Sequence, residues 1–237
     1  MSKQSKIYGT QVNKMRSIVM LLSVAVLISC CFYVLAAGES EQIVWQRDEK
    51  KVAITFDDGP NPETTTPMLD ALEENYAKAT FFCLGQNAGY YPETVQREYN
   101  LGMEVGTHTY SHVVLTSLSA SALDSEISKS VDAINKAIGV KPSLMRPPYG
   151  AVNKTVLSAV GGYNLCCMNW SLDTEDWKTK NADATYNEVM KAQDGDVVLL
   201  HDIHEYNVDA VKRFVPDLIA EGFQLVTVPE LYEARGE

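Results

Sequence analysis

A mostly parallel α/β sheet is the fold class this sequence predicts, and three observations predict it. Short apolar runs alternate with helical patterns from about residue 50 to the end of the chain. Crossover helices between such runs imply parallel strands. The unusual polar residues mostly follow the ends of those runs, as they do where strands open on one face of a barrel. About seven strand–helix units suit a closed or nearly closed (β/α) barrel, and a doubly wound open sheet fits the same string.

The elements follow in order. Lys51–Phe56 reads as a strand, and Pro62–Tyr76 as a helix with Met68, Leu69 and Leu72 on one side. Ala79–Leu84 is a second strand, Pro92–Asn100 a helix and Met103–Gly106 a short strand. Ser119–Ile138 is the clearest helix, because Leu123, Ile127, Val131, Ile134 and Ile138 recur every three to four residues and Gly139 stops it. Ser143–Arg146 is a short strand, and Asn153–Val160 a helix ended by Gly161-Gly162. Leu165–Leu172 is a strand, Ala184–Ala192 a helix and Asp196–Leu200 an apolar strand. Val208–Glu221 is a helix stopped by Gly222, and Phe223–Val228 is the last strand.

A different kind of segment precedes this body. Ser17 to Ala37 is 21 residues without a charge, long enough as a helix to cross a bilayer core of roughly 30 Å. Residues 1–37 carry Lys3, Lys6, Lys14 and Arg16 and no acid. The positive-inside bias therefore places the N-terminus in the cytoplasm and the body outside. A cleaved signal peptide ending near Val34-Leu35-Ala36, or lipidation at Cys30, would export the body equally. The expected organisation is a tail and hydrophobic anchor helix over 1–37, a linker over 38–48 and one domain over 49–237, monomeric and membrane-tethered. With the four positive charges of the leader taken from a net of −11, the remainder carries −15. Such a body disfavours nucleic acid as a partner. Five cysteines make no disulfide framework; Cys83, Cys166 and Cys167 lie in apolar runs and read as buried small hydrophobes.

The chemistry collects after the runs. Asp57 and Asp58 end the first, two adjacent carboxylates that need a cation, hydrogen bonds or water to coexist. His108 and His112 follow the third; at i, i+4 they can share one helical face, a spacing used for metals. With Asp58 they would make a two-His, one-carboxylate set with open positions, a catalytic type of metal site. Arg146 ends the fourth run within RPPYG, whose prolines and glycine fix the backbone and can aim an N–H at a reacting oxygen. Asp173, Asp176 and Trp177 follow the fifth, where Asp173 can cap a turn. His201 and Asp202 follow the sixth; His201 reads equally as a core histidine or a general acid. His204 reads as a loop-surface residue.

Five separated segments, TFDDGP at 55–60, HTYSH at 108–112, RPPYG at 146–150, DTEDW at 173–177 and LLH at 199–201, together resemble the polysaccharide deacetylases of carbohydrate esterase family 4, most of all those acting on peptidoglycan N-acetylglucosamine. The resemblance implies a distorted (β/α) barrel. It implies that Asp58, His108 and His112 bind a divalent metal, usually zinc, with cobalt or another divalent ion serving in some members. By the same resemblance Asp57 is the general base, oriented by Arg146, and the Tyr149 N–H helps hold the oxyanion. His201 is the general acid, tuned by Asp176, and Trp177 and Leu199 line the acetyl pocket. The implied substrate is a polysaccharide containing N-acetylglucosamine, peptidoglycan first. Chito-oligosaccharide or another exopolysaccharide comes second and acetylxylan third; a non-catalytic glycan-binding module is the alternative of another class.

Overall fold

The computed structural model describes residues 50–236. The anchor, linker and Cys30 expectations lie outside these residues; among those described, no helix is long and apolar enough to cross a membrane.

The sheet is built around β1, Lys50–Asp57. Its inner residues are buried on both faces, which is why it reads as an unbroken apolar run rather than an alternation. β2 (Thr80–Cys83), β3 (Glu104–Thr107), β4 (Leu144–Met145) and β5 (Cys166–Cys167) extend from one side of β1; β7 (Val197–His201) and β6 (Leu172–Asp173) extend from the other. β8 (Phe223–Leu225) pairs with the first residues of β1. Every described pairing is parallel. No ladder joins β5 to β6 among the described residues, so the sheet curls into a barrel that stays open there.

The expected strand Leu165–Leu172 is therefore two strands with a crossing between them. β5 pairs with β4 and β6 with β7, at opposite edges of the sheet. Residues 168–171 bridge those edges, and Arg146 holds the bridge by donating to the Met168 and Asn169 carbonyls at 3.4 and 3.0 Å. The apolar run was real, but the ladder partner changes midway.

The helices are α1 (Pro62–Glu74), α2 (Gly85–Tyr90), α3 (Pro92–Asn100), α4 (Ala120–Ile138), α5 (Lys154–Gly162), α6 (Asp176–Thr179), α7 (Ala182–Val189), α8 (Glu205–Ala220) and α9 (Val228–Arg235). α4 begins at the Ser119 cap and ends at Gly139, whose φ of 76° suits glycine. α2, α6 and α9 were not anticipated: α2 and α6 are short, and α9 lacks a strong apolar stripe.

Alternation along β1 divides the core. Val52, Ile54 and Phe56 pack outward with Leu69, Phe81 and Phe214. Ala53 faces the barrel interior with Phe82, Leu144, Val226 and Leu231. Thr55 and Asp57 share the parity of Ala53, and both meet Arg146 inside the barrel. Each fully buried Phe or Leu contributes roughly 1.5–3 kcal/mol by leaving water.

Candidate metal-dependent active site

Strand ends bring the polar residues together. Asp57 pairs in register with His201 across β1 and β7, so the two side chains stand at the ends of neighbouring strands. His108 directly follows β3 and Arg146 directly follows β4. All ten site residues taken from the sequence lie at or beside one end of the sheet, and seven of them, Asp57, Asp58, His112, Tyr149, Trp177, Leu199 and His201, line a single cavity of about 430 Å³.

Arg146 is wholly buried, a position that needs paired charge. Its guanidinium lies 4.2 Å over the Phe82 ring. It donates to Thr55 Oγ1 at 2.6 Å and to Asp57 Oδ1 at 2.8 Å. Asp57 is 3% exposed, and the ion pair gives this buried carboxylate the opposite charge that burial calls for. Its Oδ2 lies 3.7 Å from His108 Nε2.

Asp58 behaves differently. Its Oδ1 is buried and has no hydrogen-bond partner. It sits 3.6 Å from His108 Nε2 and 3.3 Å from His112 Nε2. Tetrahedral ligands at zinc distances stand roughly 3.3 Å apart, and one ligand atom from each of the three residues falls within 4.8 Å of the others. His108 Nδ1 donates to the Arg146 carbonyl at 2.6 Å, which leaves Nε2 unprotonated in the neutral ring. Burial lowers the His108 pKa against the pull of Asp57 and Asp58, favouring that neutral form. The donor set, its spacing, its tautomer and the unsatisfied Asp58 oxygen all fit a divalent cation.

The two histidines do not share a helical face. Residues 108–112 form a loop in which Thr109 and His112 adopt left-handed backbone at φ 70° and 58°. The loop turns back on itself and sets the rings 5.0 Å apart. Asp58 and Tyr149 are also left-handed, at φ 77° and 61°. Such residues cost about 1–3 kcal/mol each and gather at functional sites.

The opposite wall of the cavity is a closed hydrogen-bond network. Asp176 Oδ1 accepts from His201 Nδ1 and from the Trp177 N–H, each at 2.8 Å. Its Oδ2 accepts from the His201 N–H at 2.9 Å and from Asn207 Nδ2. Burial alone would lower the His201 pKa; the hydrogen bond and charge of Asp176, helped by Asp57 and Asp58, outweigh it and push it up to about 9. Burial would raise the Asp176 pKa, but His201 and Asn207 outweigh that and lower it. The pair is a carboxylate holding a protonated imidazole.

Trp177 is 51% exposed and Tyr149 68% exposed. Leu199 and Trp170 add apolar wall. Asp173 caps a turn, accepting from the Glu175 N–H at 2.9 Å. Two expectations fail. His204 is half-buried and lines the cavity, its ring stacked on Tyr206 at 4.9 Å. Cys166 is exposed and Cys167 half-buried, because β5 is the edge strand, while Cys83 is buried as expected. Trp170 and Asn207 carry no local sequence signal; only the crossing after β5 and the first turn of α8 put them here.

Residues 46–166 match the sequence profile of the family described as polysaccharide deacetylase. The chain belongs to that family. Its sequence is 42% identical over 189 residues to the peptidoglycan-N-acetylmuramic acid deacetylase PdaC of Bacillus subtilis, covering 79% of this chain and 40% of that protein. A peptidoglycan-N-acetylglucosamine deacetylase of Bacillus cereus is 36% identical over 195 residues, covering 80% of this chain and 71% of that one. The solved structure of B. subtilis PdaC superposes with a TM-score of 0.77 at 42% identity, covering 80% of this chain and 93% of the solved one. The curled parallel barrel is thus the family fold. The chain spans about 40% of the length of PdaC.

Proposed function

We propose that this protein hydrolyses the acetamide of N-acetylglucosamine units in a cell-envelope glycan, peptidoglycan first, releasing acetate and leaving a free amine. One observation carries the reading: Asp57, ion-paired with Arg146, and His201, its pKa pushed up to about 9 by Asp176, stand in register on neighbouring strands and line one cavity. That is the arrangement of a general base and a general acid.

Asp58, His108 and His112 would hold a divalent cation, zinc first and cobalt as the alternative, which supplies a Lewis acid to polarise the acetyl carbonyl. Asp57, oriented by its ion pair with Arg146, takes a proton from the attacking water. The backbone N–H of Tyr149 donates to the carbonyl oxygen as it gains charge. Protonated His201, fixed by Asp176, gives its proton to the departing amine nitrogen. The C–N bond breaks, the water oxygen remains on the acetyl carbon, and acetate and amine are the products. Trp177 and Leu199 wall the acetyl methyl away from water. We further propose that it works as a monomer, since one chain supplies every group this reaction uses.

The two relatives differ in the sugar they are named for, muramic acid for PdaC and glucosamine for the B. cereus protein. We propose glucosamine, the sugar of the B. cereus relative and of the family resemblance. We further propose that residues 17–37 tether the domain to the outer face of the cytoplasmic membrane, supported by their length, lack of charge and basic flank. Mass spectrometry of muropeptides before and after treatment with the zinc-loaded full chain tests the substrate. Loss of one acetyl mass from glucosamine is expected. Loss from muramic acid would reassign the sugar, and loss from chitin oligomers alone would reassign the polymer.

A further inference from the structure

The loop that carries both histidines is clamped from two sides. On one side the Thr109 and Tyr110 carbonyls accept from the Gly85 and Gln86 N–H groups at the start of α2, at 2.9 and 3.1 Å. On the other side is a single carboxylate. Glu126 Oε2 accepts from the Tyr110 and Ser111 N–H groups at 3.1 and 2.9 Å, and its Oε1 accepts from Ser111 Oγ at 2.8 Å.

Glu126 belongs to a polar face of α4 at i, i+3 and i+4. Lys129 lies 5.6 Å over the Tyr110 ring, and Ser130 pairs with Thr107 Oγ1 one residue before His108. α4 therefore grips the end of β3 and the loop after it, beside the apolar stripe of Leu123, Ile127 and Val131 that seats it on the body.

We infer that Glu126 is a positioning residue for the metal: it holds the 108–112 loop in the bend that aims His112 at Asp58 and His108. The physical case has two parts. The bend passes through left-handed backbone at Thr109 and His112, which non-glycine residues keep only when their surroundings enforce it. The amides of Tyr110 and Ser111, between those residues, have Glu126 as their acceptor; without it they would face partial burial unpaired. Relaxation of the bend would move the His112 ring. Its Nε2 stands 3.3 Å from Asp58 Oδ1, a spacing that suits one shared cation. Glu126 does not line the cavity and reaches the site through the loop alone. This rests on Asp58, His108 and His112 being the metal ligands.

The test is the affinity of the metal-stripped full chain for zinc, measured by competition with a chromophoric chelator, with no activity readout. Glu126→Ala and Glu126→Asp should weaken zinc binding by about 10- to 100-fold, the range typical of partners that orient ligands. Asp is one methylene too short to reach both amides and the hydroxyl. Glu126→Gln keeps an acceptor oxygen for the two amides and a donor for Ser111 Oγ, so it should bind close to wild type. Should the Ala variant fail to fold, the contrast between Asp and Gln decides. Wild-type affinity in both Ala and Asp variants overturns the inference while leaving the metal site intact. A wild-type chain that takes up no zinc, or an Asp58→Ala chain that takes up as much as wild type, overturns the metal reading and this inference with it.

Discussion

The two walls of the cavity are built from the same materials, carboxylate and imidazole, in opposite states. On the acid side, both oxygens of Asp176 accept hydrogen bonds and His201 is drawn to a pKa of about 9. On the metal side, Asp58 Oδ1 is buried without a partner, its nearest imidazole nitrogens stand 3.3 and 3.6 Å away, and His108 is pushed toward its neutral form. A closed network stores a proton; an open one, with His108 pushed toward its neutral form, offers lone pairs. Arg146 separates the two regimes by committing to Asp57 alone among the carboxylates. Changes on one wall should therefore alter proton delivery, and changes on the other should alter metal affinity, with little crossover.

The largest expected effect is on the metal side. Asp58→Ala should abolish stoichiometric zinc uptake, read by metal analysis after dialysis, and acetate release with it. His201→Ala should lower kcat by about 10²- to 10⁴-fold, the usual weight of one general acid, with zinc affinity unchanged. A large loss of zinc from His201→Ala would break the division between the walls.

Asp176→Asn gives a smaller and more specific effect. His201 must be protonated to act, so activity should fall as pH rises through about 9. Without the carboxylate the main force raising the His201 pKa is gone and burial, which lowers it, remains. The alkaline limb should then move down in pH, toward or below the ordinary histidine value near 6.5. The fold shows the same linkage. A group whose pKa is raised on folding stabilises fully below its unfolded value, so this contribution is present below about pH 6.5 and fades as pH rises through about 9. Chemical denaturation of wild type and Asp176→Asn across that window should show the difference narrowing with pH. The smallest effect is expected at the cavity rim. Trp177→Ala should raise KM several-fold with little change in kcat, since a half-exposed ring contributes about 1 kcal/mol of contact.

Much of this was legible in the sequence because burial leaves a periodic trace. β1 and β7 read as apolar runs ending in Asp57 and His201, and α4 announced itself through a stripe spaced by three and four. Where partners change without a change in burial, the trace misleads. Residues 165–172 are apolar enough for one strand but serve two sheet edges. The 108–112 segment has helical spacing, yet a left-handed bend rather than a helical turn brings its histidines together. Asn207 acts through hydrogen bonds to Asp176 and the His201 carbonyl, and Glu126 through three to the 108–112 loop, and such contacts have no period. His204 was missed because a residue at the start of α8 reads as surface until α8 is known to begin beside the cavity.

The most direct single measurement is acetate release by Asp57→Asn, made with bound zinc quantified in the same sample. The Asn keeps the shape of the side chain and an acceptor for Arg146 but cannot take a proton. The expected result is one zinc per chain with turnover reduced by about 10²- to 10⁴-fold. Wild-type turnover from that zinc-loaded variant would contradict the assignment of Asp57 as the base and, with it, the pairing of base and acid across β1 and β7.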